Sequence, residues 1–268
     1  MLMYTKDQNM VKKRDHLNKL LINWPKGVVA VQQWFTKRGI SRQLAAKYCH
    51  SGWIKRIGQG GYIRSGDALT LTGAVYALQI QLGFEAHAGG KTALELQGYG
   101  HFLPMKKMPE FHLFGRPGRR LPSWFLGAKW ESKVRYHMLR LFPGKPEAGL
   151  EEISLGGYSI KVSSPERAAL EMAELVPKEQ SFEGAALLLE GLTTLRPALV
   201  QELLMTCRSI KAKRLFLFLA EKCGHAWVDK LDISKVRLGS GKRLIVRGGR
   251  LDKKYQITVP SEISREVP

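Results

Sequence analysis

Residues 28–64 read VVAVQQWFTKRGISRQLAAKYCHSGWIKRIGQGGYIR, and this stretch decides the fold class. Val28, Val31, Trp34 and Phe35 fall at helical spacing, and Gly39 stands where a helix ends in the left-handed conformation. Ile40 plugs the turn that follows, and Ser41 is placed to cap a second helix by accepting a backbone N–H. Leu44, Ala45 and Tyr48 form the inward face of that helix, which leaves Arg42, Gln43, Lys47 and His50 outward. Trp53–Ile57 and Tyr62–Arg64 then flank Gly58-Gln59-Gly60-Gly61, whose glycines permit the positive φ of a short hairpin and keep its tip slim beside a phosphate backbone or minor groove. Helix, turn, helix and hairpin in this order predict a winged helix-turn-helix, the module that lays its second helix in the DNA major groove.

Charge supports that reading. Residues 1–66 hold thirteen Lys and Arg against two acids, a surplus of eleven, while the rest of the chain holds thirty against twenty-one. The first quarter thus carries over half of the net +20. Such a field attracts a polyanion, and release of condensed counterions makes the affinity fall steeply with salt. On the second helix, Arg42 suits guanine and Gln43 suits adenine at a groove floor, with Lys47 and His50 beside them. The same four residues would also serve as the solvated side of an amphipathic helix. In the hairpin, Lys55, Arg56 and Arg64 are the natural phosphate or minor-groove contacts, with Gln59 at the tip.

Working outward, Met10, Val11, Leu17, Leu20 and Leu21 predict a helix over roughly residues 7–22, ended by Trp24-Pro25-Lys26-Gly27. After Asp67 the composition shifts. Residues 68–83 and 91–100 read as helices, and 110–142 as strand-rich around the basic loop Arg116, Arg119, Arg120. Residues 150–162 look like a hairpin. Ser163-Ser164-Pro165-Glu166 opens a capped helix, and two helices near 181–191 and 197–207 lead to the stretch KRLFLFLAEKCG at 213–224. The basic end, with Lys242, Arg243 and Arg247, is again hairpin-like. The expected fold class is therefore α+β: a winged helix over 1–67, then a larger mixed α/β domain over 68–268.

Several functions are excluded. No apolar run reaches the ~18 residues of a membrane span, and the N-terminus lacks the apolar core of a signal peptide, so no membrane partner and a cytoplasmic location are expected. Three scattered cysteines, Cys49, Cys207 and Cys223, suggest neither disulfides nor zinc, and the histidines show no ligand spacing. Gly89-Gly90-Lys91-Thr92 lacks the upstream glycine of a phosphate loop, and Gly239-Ser240-Gly241-Lys242 is followed by Arg243 where Ser or Thr is needed. Glu131 and Lys133 with Glu110 upstream are a weak nuclease-like pattern, for which structural ion pairing is the plainer reading. Neither catalytic residues nor a metal or cofactor is expected.

The segments 39–67 (GISRQLAAKYCHSGWIKRIGQGGYIRSGD), 91–102 (KTALELQGYGHF), 163–175 (SSPERAALEMAEL), 213–221 (KRLFLFLAE) and 238–260 (LGSGKRLIVRGGRLDKKYQITVP) together resemble the AbiEi family, antitoxins of type IV toxin–antitoxin and abortive-infection operons. The resemblance implies a repressor whose winged helix binds inverted repeats in its own promoter; such a site needs two copies, assembled either on the DNA or in solution. It implies a C-terminal domain that supports cooperative binding and antitoxin activity against a neighbouring nucleotidyltransferase-like toxin, without a stable complex. Carried over residue by residue, DNA contact falls on Ser41, Arg42, Gln43, Lys47, Arg56 and Arg64. Arg116, Arg119, Arg120, Lys242, Arg243 and Arg247 would extend the DNA track or form the antitoxin surface. A free-standing transcription factor with a sensing domain and a DNA-targeted nuclease are the competing functions.

Overall fold

The computed structural model describes residues 18–99 and 109–261. The chain divides into two compact units. Unit one takes the described residues up to Ala86 together with Arg119–Glu131 and Ser154–Ile160; unit two takes His87–Gly118, Ser132–Ile153 and the chain from Lys161 onward.

Unit one begins with helical residues 18–22 (α1), so most of the helix expected over 7–22 lies outside the described residues. Strand β1 (Ala30–Val31), helix α2 (Gln32–Thr36), helix α3 (Arg42–His50), and strands β2 (Ile54–Gly58) and β3 (Gly61–Arg64) follow. The sheet runs β1-β3-β2, with Ala30 opposite Tyr62 and Lys55 opposite Ile63, both pairs antiparallel. This is the winged-helix topology, with one correction to the expected α2. Val28–Val31 are buried and not helical, Ala30 and Val31 forming a strand, and only the five residues after them form a helix. β-Branched valines lose little in an extended conformation, and the pairing of β1 with β3 outweighs the helical spacing. Trp24, Val28, Phe35, Ile40, Ala45, Tyr48, Ile54 and Tyr62 fill the core. Phe35 stacks on Tyr62 at 5.0 Å between ring centroids and meets Trp24 edge-on at 5.5 Å.

Unit one also runs past the boundary expected at residue 67. Helix α4 (Leu71–Tyr76) continues into a π-helical turn, Ala77–Gln81. The Gln81 side chain then completes the free edge of β1: its Oε1 accepts from Val31 N at 2.9 Å, and its Nε2 donates to Val29 O at 2.8 Å. A buried strand edge would otherwise leave both groups unsatisfied, so the amide ties this segment to the winged helix. Part of the stretch expected as strand, Ser123–Leu126, is a short helix, α6, also in unit one. Pro122, at its N-cap, starts it.

Unit two holds most of a five-stranded mixed sheet, in the order β6-β5-β4-β8-β7. Its strands are β4 (Ala86–Ala88), β5 (Glu110–Gly115), β6 (Lys133–Met138), β7 (Leu150–Ser154) and β8 (Ser159–Ser163). β5 pairs with β6, and β4 with β8, in parallel. Helices α5 (Gly90–Leu96), α7 (Pro165–Leu175), α8 (Phe182–Glu190), α9 (Pro197–Thr206) and α10 (Ile210–Lys222) complete it. Helix α7 starts as expected, with Ser164 accepting from Arg167 N and Pro165 at the first turn. It is buried along almost its whole length. At the C-terminal end, β9 (Arg250–Asp252) and β10 (Ile257–Val259) form the expected antiparallel hairpin.

Candidate nucleic-acid interface

Helix α3 is held by its cap: Ser41 Oγ accepts from Leu44 N at 3.2 Å. Ala45 and Tyr48 are buried and Leu44 half-buried, so the helix can present only its other face. That face carries Arg42, Gln43, Lys47 and His50, all exposed. Burial pushes the Tyr48 hydroxyl and the Cys49 thiol above their ordinary ranges, and nearby Arg56 partly offsets the shift on Cys49. Neither group ionises near neutral pH, and the face has no acid among its outward residues.

The wing follows directly. Lys55, Arg56 and Gln59 are exposed, and Arg56 Nε donates to Gly58 O at 3.0 Å. Gly60 takes φ +83° at the tip, a left-handed conformation that a side chain would strain. Arg64 does not join this surface. Its Nε donates to Asp67 Oδ2 at 3.0 Å and its Nη1 to Leu21 O at 3.2 Å, so it ties the end of the wing to the unit's interior.

A groove of about 750 Å³ lies between α3, the wing and α6. Arg42 lines it from the helix, Arg56 and Gln59 from the wing, Gln33 from α2, and Trp124 from α6. Trp124 is a residue that the sequence did not single out. The signal was present in the wing glycines: a Cβ at Gly58 would lie 2.7 Å from the Trp124 carbonyl oxygen, and one at Gly61 would lie 2.9 Å from Trp124 Cβ. Of the three glycines expected to keep the tip slim for DNA, Gly58 therefore admits the Trp124 backbone and Gly61 its side chain.

The remaining basic candidates separate. Arg119 and Arg120 belong to unit one and Arg116 to unit two. Lys242, Arg243 and Arg247 are exposed in unit two. Both glycine-rich loops are occupied by the protein itself. The Gly90 N–H at the start of α5 donates to Glu171 Oε2 at 3.0 Å, so a carboxylate fills the place a phosphate would take. Gly239 and Gly241 turn their carbonyls toward the Arg214 guanidinium, at 3.0 and 2.6 Å. Of the nuclease-like pattern, Glu110 Oε1 accepts from Arg135 Nε at 3.0 Å, and Glu131 and Lys133 fall in different units. Among the described residues, no group of three or more His, Cys, Asp or Glu could hold a metal ion, and no helix is long and apolar enough to cross a membrane.

A capped helix with a basic outer face beside a two-stranded wing defines a winged-helix regulator. The family models carry the identification further. One described as "Transcriptional regulator, AbiEi antitoxin, Type IV TA system" matches residues 108–260, and one described as "Transcriptional regulator, AbiEi antitoxin N-terminal domain" matches residues 13–105. The chain belongs to the AbiEi family of antitoxin transcriptional regulators. Among solved structures it is similar to the RV2827C protein of Mycobacterium tuberculosis, at 16% identity and a TM-score of 0.57 over 90% of this chain and 88% of that one, a likeness of fold. Comparison with curated proteins gave no match.

Proposed function

We propose that this antitoxin represses its own operon by binding inverted repeats in its promoter, with two copies assembling on the DNA. The observation that carries the proposal is helix α3, whose Ser41 cap and buried Ala45 and Tyr48 leave Arg42, Gln43, Lys47 and His50 as one solvent-facing row. In the proposed complex Arg42 and Gln43 read base edges, while Ser41, Lys47 and His50 in the helix and Lys55, Arg56 and Gln59 in the wing hold phosphates or the minor groove. The contacting residues fall within 1–67. The chain from 68 to 268 carries cooperativity and the counteraction of a nucleotidyltransferase-like toxin encoded nearby. Arg116, Arg119, Arg120, Lys242, Arg243 and Arg247 extend the DNA track or form the surface for that second role.

A reporter fused to the gene's own promoter tests the proposal. Expression of the intact chain is expected to repress it. Arg42→Ala is expected to lose about 1–3 kcal/mol of specific binding and to relieve repression. Co-expression with the adjacent toxin gene tests the second role by growth rescue. A reporter insensitive to the chain would refute autorepression.

A further inference from the structure

We infer that Trp124 is a positioning residue of the DNA-reading head, and that Arg119–Glu131 is the third part of that head, after the recognition helix and the wing. The inference rests on the DNA-binding reading and adds to it an element distant in sequence.

The contact is close and shape-specific. Trp124 is 3% exposed, and its backbone and ring lie where side chains at Gly58 and Gly61 would project. A Cβ at Gly58 would approach the Trp124 Cα to 2.8 Å, and one at Gly61 would approach its Cγ to 3.1 Å. The register of β2 against β3 is irregular between Arg56 and Gly58, at the same place. A two-stranded ribbon has little rigidity of its own, so what packs on it sets its angle. Here that is α6. Trp124 meets Phe125 edge-on at 5.5 Å, Phe125 contacts Trp130 at 4.9 Å, and Trp130 Nε1 donates to Phe125 O at 2.9 Å. These contacts make a small aromatic block behind the wing.

The functional consequence follows from the groove. Arg42 stands on α3, Arg56 and Gln59 stand on the wing, and Pro122, Ser123 and Trp124 form the adjoining wall. The distance between the two guanidiniums depends on the wing's angle, which the Trp124 backbone at Gly58 and its Cβ and ring at Gly61 fix. Phosphates on a duplex have a set spacing, so a wing that swings loses the match and, with it, affinity. The Trp124 indole N–H is buried without a hydrogen-bond partner among the described residues. Its ring, and not its donor, is what the site uses, so phenylalanine can replace it.

The test uses the full chain and three variants: Trp124→Ala, Trp124→Phe and Gly61→Ala. Hydrogen exchange is read over residues 54–64 and 42–50, and affinity is read on the upstream duplex and on a scrambled one. Trp124→Ala is expected to exchange about tenfold faster in the hairpin with α3 unchanged, and to bind the upstream duplex about tenfold more weakly. Gly61→Ala, which leaves the aromatic block intact, reproduces both effects, and Trp124→Phe restores both to within about threefold of the parent. Unchanged hairpin exchange in Trp124→Ala and Gly61→Ala would overturn the inference. So would faster exchange with affinity for both duplexes unaltered. A parent chain that binds both duplexes equally would refute the operator reading alone, because the loss of affinity in Trp124→Ala is expected on any duplex that the wing touches.

Discussion

Replacing Glu171 by Gln should destabilise unit two by about 3 kcal/mol at neutral pH. Four donors converge on this carboxylate. His87 Nε2 at 3.0 Å and Arg167 Nε at 2.8 Å reach Oε1, while Gly90 N at 3.0 Å and Ser163 Oγ at 2.7 Å reach Oε2. Burial alone would raise its pKa, but His87 and Arg167 outweigh burial and hold the carboxyl at about 2, against an ordinary 4.5. That difference corresponds to about 3 kcal/mol in favour of the ionised form. A glutamine keeps one acceptor, turns its NH₂ toward two of the donors, and leaves the Arg167 guanidinium without its anion. Removing one partner of a buried pair costs about 3–5 kcal/mol, in agreement. Calorimetry of the full chain should show the transition lowered by about 10 °C at pH 7. The pH dependence has a definite sign. A carboxylate with a depressed folded pKa contributes stability above its unfolded value, and that contribution is lost as pH falls from about 4.5 toward 2. Burial lowers the His87 pKa against the raising effect of Glu171, so the unfolded chain takes up that proton more readily and stability again falls as pH falls. The parent should therefore weaken in acid, and its margin over Glu171→Gln should narrow as pH falls from 5 to 3. A Tm within about 2 °C of the parent at pH 7, or a margin independent of pH, would refute this reasoning.

Arg64→Ala should cost about 1 kcal/mol in a denaturant melt, since its partly exposed pair with Asp67 is modest, and should leave duplex affinity within about twofold; a loss as large as that of Arg42→Ala would return Arg64 to the DNA surface. Gln81→Leu strips the partners from Val31 N and Val29 O, and each orphaned buried group costs about 1–3 kcal/mol, so urea unfolding of unit one should move to clearly lower denaturant. An unchanged midpoint would show that β1 does not need its amide edge. Arg214 donates to the carbonyls of Leu238, Gly239, Gly241 and Gln256. Arg214→Ala should speed proteolysis within 238–260, and Arg214→Lys should not rescue it, because one ammonium cannot match a planar fork spread over several acceptors.

The winged helix was legible because its determinants are local. Ser41 as cap, Ile40 in the turn and the apolar set Ala45 and Tyr48 each follow from a residue and its immediate neighbours. The start of α2 departs from the helical spacing because a non-local pairing, β1 with β3, competes with it at Val28 and Val31. The pairing of Arg64 with Asp67 is not legible in the sequence, because a basic residue in a wing looks the same whether it faces a phosphate or a carboxylate. Trp124 and Gln81 could not be placed from sequence: one reaches the wing from some sixty residues downstream, the other satisfies a strand edge with a side chain. The Glu171 cluster gathers residues from 87 to 171, and only the fold brings His87 and Gly90 to helix α7. The capped opening of α7, a local signal, was readable beside it.

Fluorescence anisotropy with a labelled duplex from immediately upstream of the gene, against a scrambled duplex of equal length and at two salt concentrations, tests the central claim most directly. Autorepression through α3 predicts binding to the upstream duplex tighter by about a thousandfold or more at physiological salt, with both affinities falling as salt rises. Equal, salt-labile affinity for the two duplexes would contradict it and leave a basic module with no sequence to read.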